Sequence, residues 1–276
     1  MGKLLGFATN DADRLRAALY GARAALGVPA GRAAAWGVGF YQAGEVLLQK
    51  RPRPPAGAVD LFTLLGGLRT DLVLAQVLAP EDRPADTEPR NEDTPPYRFR
   101  SFLWMDDGPG LSAEATRALG ESAEALPPFL RRNIRGGQDG ERVFHLFLDE
   151  LRTRGGLDRD VGPGSLSAAM AAALVRLDAA VGGSPPRAVL LADGQHLVGV
   201  SRGVPLWLYE GRGAPGFPEE LDEPSRRGRP GSYEHVRSAA VISDAVTVPP
   251  TEGLRQLPDS SVVVVSHAVE VDVRPL

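Results

Sequence analysis

Apolar residues along this chain change their spacing several times, and each change marks an element. The chain opens on a compact apolar run, Met1-Gly2-Lys3-Leu4-Leu5-Gly6-Phe7-Ala8. The run is too short for the core of a signal peptide and lacks a small-residue cleavage site, so it predicts a mature first strand entering a sheet. Asn10-Asp11 then offers a cap for a helix over 12–26, where Leu15, Leu19 and Ala22 fall on one face and Gly27-Val28-Pro29 stops it. Strands over 34–41 and 45–49, joined at Gln42-Ala43-Gly44, predict a hairpin closed by the Pro-rich stretch after Arg51. A short apolar helix over 59–68 precedes a buried strand over 71–78.

The pattern lapses over 79–97, which is acidic and proline-rich; a loop of that length inside a folded unit is either functional or disordered. Strand character resumes over 98–105 and breaks at Asp106-Asp107-Gly108-Pro109-Gly110, a strong turn. Helical spacing follows over 112–126, 128–134 and 139–153, then over 165–180 with Ser165 as cap. The last third alternates as strands over 188–192, 197–201, 206–209, 239–243, 262–266 and 268–273. Between them 211–231 reads as a mobile Gly-, Pro- and charge-rich loop. No repeat and no linker interrupts the order, so one α/β domain over 1–276 is the expectation.

Composition narrows the chemistry. The 276 residues are 43% hydrophobic and 24% charged, enough to bury a sizeable core. No window of about eighteen uncharged apolar residues stands outside one Ala-rich helix, so no membrane span is expected. A net charge of −4 gives no footprint for nucleic acid. Cysteine is absent, which excludes disulfides, Cys-ligated metals and any Cys nucleophile in this chain, and fits a reducing cytoplasm. The only lysines are Lys3 and Lys50; Arg carries the remaining positive charge, as in a GC-rich bacterial genome. Met1-Gly2-Lys3-Leu4-Leu5-Gly6 has Gly where a myristoylation signal has Ser or Thr.

Taken in order, these segments resemble the class II glutamine amidotransferases, the Ntn-hydrolase family, and more narrowly its stand-alone bacterial subgroup. The family's opening Met, Cys and hydrophobic strand correspond to Met1-Gly2-Lys3-Leu4-Leu5-Gly6, and its Gly-Trp-Gly element to Ala35-Trp36-Gly37 before Val38-Gly39-Phe40-Tyr41. A family strand carrying His, Val and Arg corresponds to Ala75-Gln76-Val77-Leu78. Its Glu-Asn-Thr-His-Pro-Phe loop is echoed by Glu92-Asp93-Thr94-Pro95-Pro96-Tyr97, and its His-Asn-Gly turn by Asp106-Asp107-Gly108. Its Thr-Asp-Ser-Glu helix start lines up with Gln138-Asp139-Gly140-Glu141, its Asp-Gly hairpin with Asp193-Gly194, and its closing strands with 254–265.

The resemblance implies a four-layer α-β-β-α sandwich of mostly antiparallel sheets. It also implies a glutamine pocket formed by Gly2, Trp36, Leu78, Asp93, Asp106, Asp107, Gly108 and Asp139. In an active member the terminal cysteine attacks the glutamine amide with its own α-amine as base. The Asn-Gly pair of the turn donates to the oxyanion, and an arginine and an aspartate hold the substrate. Here Gly2 stands for the nucleophile, Leu78 for the arginine and Asp107 for the oxyanion asparagine, while Gly108 and Asp139 match. The expectation is therefore a catalytically inactive member, a binding, regulatory or scaffold partner of another protein in the bacterial cytoplasm. Alternatives are a small-molecule or cation sensor using the relict pocket, or a repurposed amide hydrolase or amidotransferase. No cofactor is expected.

Two readings of the acidic residues stay open. With the arginine gone, Asp93, Asp106, Asp107, Asp139 and Glu141 could make the cleft accept a cation: a partner's Arg or Lys, an amine-bearing ligand, or a divalent metal. Alternatively, Asp106 to Gly110 is only a well-formed turn and Glu92-Asp93 part of a solvated loop. His145 and Asp149, four apart on a helix, have metal-ligand spacing but no third ligand and read as a surface pair. Gly37-Val38-Gly39 lacks the third glycine of a dinucleotide loop. Arg226-Arg227-Gly228-Arg229 reads as solvated, and Trp36, Trp104 and Trp207 as core or strand-edge aromatics.

Overall fold

A computed structural model describes residues 2–28, 31–53, 55, 57–82, 88–157, 161–221, 233–243 and 253–276. Met1, Pro29, the middle of the 79–97 loop and the second half of the 211–231 loop, with its Arg226-Arg227-Gly228-Arg229 run, lie outside them. The first sheet is built from β1 (Lys3–Thr9), β3 (Ala35–Gln42), β4 (Glu45–Arg51), β6 (Leu72–Leu78), β11 (Leu206–Arg212), β12 (Arg237–Ser243) and β13 (Leu254–Gln256). Its order is β13-β11-β12-β1-β6-β3-β4, and every neighbour pair is antiparallel. The second holds β7 (Tyr97–Phe99), β8 (Phe102–Asp107), β9 (Arg187–Ala192), β10 (His196–Arg202), β14 (Ser261–Ser266) and β15 (Val271–Pro275). Its order is β15-β14-β10-β9-β8-β7, again antiparallel throughout. A two-stranded ribbon of β2 (Gly27–Val28) and β5 (Val59–Asp60) stands apart.

Side-chain alternation sorts the strands' residues into three apolar layers. Leu4, Leu74, Met105, Leu190, Leu197 and Val241 fill the gap between the sheets. Leu5, Phe7, Val73 and Val77 point the other way, onto α1 (Leu15–Tyr20) and α2 (Leu61–Leu65). On the far side Trp104, Val189, Leu191 and Val198 pack against α3 (Ala113–Glu124), α5 (Asp139–Thr153) and α6 (Pro163–Val181). A one-turn α4 (Pro128–Arg131) joins α3 to α5. The outcome is the expected four-layer α-β-β-α sandwich. α6 is long and apolar enough to cross a membrane, but its Leu166, Met170, Leu174 and Leu177 are buried in the helical layer.

Several boundaries differ from the expectation, each for a local reason. The helix over 12–26 is broken into two 3-10 turns around α1, at Gly21, where any side chain would overlap the Tyr209 hydroxyl. The helix over 59–68 shrinks to α2, capped by Asp60, whose carboxylate accepts from Phe62 N at 3.1 Å. The strand over 98–105 is a hairpin, β7 to β8, turning at Arg100 and Ser101 with Arg100 at φ 54. Pro163, rather than Ser165, opens α6 from its first turn. The last strand starts at Val271, because Ser266 to Val269 is spent on a turn with Val269 at φ 59.

Candidate functional site

At one end of the sandwich β1 begins, β6 ends, β3 begins, β8 ends, β9 begins and α5 presents its first turn. A cavity of about 320 Å³ opens there, walled by Gln76 and Leu78 of β6, Asp106, Asp107 and Gly108, Arg187 of β9, and Gln138, Asp139 and Gly140 of α5. Six of the expected site residues are on its wall: Leu78, Asp93, Asp106, Asp107, Gly108 and Asp139. Gly2 lies one residue before the Lys3–Val77 register pair, which sets it beside Leu78 at the cavity's rim. Trp36 is not part of the wall. It shares the pleat of Val38 and Phe40 and faces the α1–α2 layer, whereas its neighbour Gly37 faces Pro95. The expectation placed the right strand with the wrong face.

The acidic residues are largely occupied. Asp93 accepts from Gly137 N at 2.7 Å and from Arg90 Nε at 2.9 Å. Glu141 accepts from Arg135 N at 3.0 Å and Gly136 N at 2.6 Å. Three successive backbone N–H groups before α5 are thus fastened by two carboxylates, which fix the loop that walls the cavity. Burial nonetheless raises the Glu141 carboxyl above its ordinary range, opposed by those two N–H groups. Asp139 accepts from Thr116 Oγ1 and Arg142 Nη1, both at 3.1 Å. Asp107 is buried on the inter-sheet side, and its Oδ1 accepts from Gly108 N at 3.0 Å.

Asp106 takes the opposite pleat from Asp107 and points into the helical layer, where Arg187 Nη1 meets its Oδ2 at 3.2 Å. Both side chains are nearly sealed, at 7% and 6% exposure, so this is a buried ion pair. Burial pushes the Asp106 carboxyl up, and the Arg187 guanidinium only partly opposes it. Arg187 keeps Nε and Nη2 without a partner, and Gln76, whose Nε2 donates to the Asp106 carbonyl at 2.8 Å, keeps Oε1 without one. Orphaned buried donors and acceptors of this kind are ordinarily met by water or ligand.

The cleft's wall stays predominantly acidic, with Glu81, Asp93, Asp106, Asp107 and Asp139 on it, but arginines temper that charge. Arg187 is a buried cation in the cleft, Arg90 and Arg142 flank it, and among the described residues no three His, Asp or Glu side chains converge as metal ligands. Arg187 was missed because it sits 81 residues from Asp106 in sequence, behind two prolines. Its one trace was a charge at the head of an otherwise apolar strand, Arg187-Ala188-Val189-Leu190-Leu191-Ala192, every residue of which is buried. His145 and Asp149 are also corrected. Both are buried rather than on the surface, and Asp149 is held by Arg152 at 2.8 Å and Arg176 at 2.9 Å.

Two glycines make room for this arrangement. A Cβ on Gly108 would overlap the Pro186 carbonyl, and one on Gly140 would overlap Asp106 Oδ1. Gly140→Ala is therefore expected to push the Asp106 carboxylate off Arg187 and destabilise the fold by about 1–3 kcal/mol. Alanine's better helix propensity, up to about 1 kcal/mol, offsets part of this. Urea unfolding measures it; a variant as stable as the parent would mean that the carboxylate does not rest on the helix start.

No family model and no curated protein sequence matches this chain. Solved structures do. A glutamine aminotransferase class-II domain protein from Silicibacter pomeroyi shares 18% identity over 99% of this chain and 98% of its own, with a TM-score of 0.56. A protein described as a predicted glutamine amidotransferase from Pseudomonas aeruginosa PA01 shares 14% over 98% of each, with a TM-score of 0.55. The glutamine phosphoribosylpyrophosphate amidotransferase of B. subtilis shares 13% over 99% of this chain but only 49% of its own, with a TM-score of 0.58. The chain has the class II glutamine amidotransferase fold from end to end.

Proposed function

We propose that this chain uses the class II glutamine amidotransferase fold without the glutaminase reaction, as a one-domain binding, regulatory or scaffold protein of the bacterial cytoplasm. The observation that carries the reading is the cavity's rim, where Gly2 and Leu78 offer neither a nucleophile nor a carboxylate anchor and Asp107 turns an acid toward the inter-sheet side. A chain without cysteine cannot form the thioester on which this chemistry runs, and a carboxylate at the oxyanion position opposes the charge that develops there. Purified protein incubated with glutamine is expected to release ammonia at the rate of a heat-inactivated control. A faster rate would support a repurposed hydrolase instead.

A second reading, a small-molecule sensor, rests on Gln76 Oε1 and on Arg187 Nε and Nη2, buried in the cavity wall without partners. A compact ligand with both a donor, such as an amine, and an acceptor would satisfy them. Co-purification of a stoichiometric protein favours the scaffold; a melting shift with amine-bearing ligands and no turnover favours the sensor.

A further inference from the structure

A second cavity, about 930 Å³, lies between the edge strands of the two sheets. Tyr97 forms part of its wall and of the first cavity's, so the two are neighbours separated by one buried ring. Basic side chains reach it from three elements: Lys50 from β4, Arg98 and Arg100 from β7 and its turn, and Arg135 from the loop before α5. Glu92 and Glu141 are the acids on the wall, and Glu141 is spent on the N–H groups of Arg135 and Gly136. The wall is therefore net positive in a chain whose net charge is −4. Lys50 Nζ donates to the Asn91 carbonyl at 3.2 Å and lies 5.9 Å from the Tyr97 ring centre. Arg98 donates to the carbonyls of Val46 and Arg100, at 3.0 and 3.1 Å. Among the described residues, neither of these cations nor Arg135 forms an ion pair with a carboxylate.

His145 completes the wall. It is 2% exposed, and its Nδ1 lies 2.8 Å from the Glu141 carbonyl, which can only accept, so Nδ1 carries the proton. Nε2 then presents a lone pair, buried and without a partner. Unpaired cations call for anionic oxygens, and the lone pair calls for an O–H. A phosphate monoanion, the main form below its second ionisation near pH 6, offers both, whereas a carboxylate offers acceptors alone.

We infer that this second cavity binds a phosphate-bearing small molecule, with Lys50, Arg98 and Arg135 taking its anionic oxygens and His145 Nε2 accepting from a protonated one. The site shares the Tyr97 wall with the relict pocket, but its chemistry does not depend on whether that pocket is catalytic. Burial lowers the Lys50 amine from 10.5 to about 8, with Glu141 and Glu92 opposing, while Arg98, Arg100, Arg135, Tyr97 and His145 face it from the other elements. Because binding needs both the phosphate's remaining O–H and the charged amine, affinity should be greatest near pH 6 and fall as pH rises, first through the phosphate's second ionisation and then through the Lys50 value of about 8.

The test titrates the whole protein calorimetrically with inorganic phosphate, sulfate and citrate at matched ionic strength. Phosphate is expected to bind at least tenfold more tightly than citrate or sulfate at pH 7, and Lys50→Met to weaken it at least tenfold. Independently, amine-selective acylation at pH 8 should modify Lys50 and spare Lys3, which is 4% exposed and donates to the Ala25 carbonyl at 2.8 Å. Phosphate should protect Lys50 severalfold in the unmodified fold, so the result does not depend on any variant. Equal heats for the three anions, unchanged binding in Lys50→Met, or acylation indifferent to phosphate would each overturn the assignment.

Discussion

Gly2→Cys protein with its initiator methionine removed is expected to release no more ammonia from glutamine than heat-inactivated protein. The cysteine would restore a nucleophile at the rim of the cavity, one position before the Lys3–Val77 pair. It would not restore the groups that steady the reaction. Leu78, beside it, gives a substrate carboxylate nothing to bind, where an arginine would give a bidentate contact. The resemblance to the family's turn puts Asp107 where an oxyanion donor is needed. Loss of one such donor alone costs about 3–4 kcal/mol, or roughly 10²–10³ in rate, and a like charge adds to that. Among the described residues, the only guanidinium on the cavity wall is that of Arg187, which lies on the helical side of β9 and is already turned to Asp106. Turnover in Gly2→Cys would mean that Leu78 and Asp107 do not occupy the positions given to them here.

How much of this could be read in the sequence depends on which residues carry the signal. β1, β6, β9 and β10 are central strands, and their apolar runs announced them. α5 began and ended where its apolar period and its acidic first turn put it, Asp139 and Glu141 suiting the positive end of the helix. The β7–β8 hairpin was hidden because Arg100 takes a left-handed turn without the Gly or Asn that usually marks one. The misplaced Trp36 was a matter of parity. A strand turns alternate residues to opposite faces, and the residue of β3 that approaches Pro95 is Gly37, which has no side chain to advertise it. Arg187 was beyond reach for another reason. Its partner is set by the pairing of Asp106 with Val189 across two sheet strands, a register fixed by the fold rather than by neighbours in sequence.

The buried Asp106–Arg187 pair yields the largest expected effect on stability, and pH separates its two halves. Removing one member of such a pair costs about 3–5 kcal/mol, because the other is left charged in a dry site. Asp106→Asn leaves a guanidinium that cannot shed its charge, so its loss should be nearly the same at pH 5 and pH 8. Arg187→Met leaves a carboxylate that can take up a proton. Burial already raises the Asp106 carboxyl with Arg187 present, and without Arg187 it must rise further. A carboxyl whose folded pKa lies above its unfolded value near 3.9 favours the fold fully below that value. It loses this as pH climbs through the folded pKa. Arg187→Met should therefore be mildly destabilised in acid and lose most of its stability toward pH 8. Asp106→Leu combined with Arg187→Met removes both charges and should recover to within about 1–2 kcal/mol of the parent. Urea unfolding at pH 5 and pH 8 reads all three. Parallel losses for the two single variants at both pH values would show that Asp106 and Arg187 are not joined in a water-free site, and the wall of the cavity would have to be drawn without that pair.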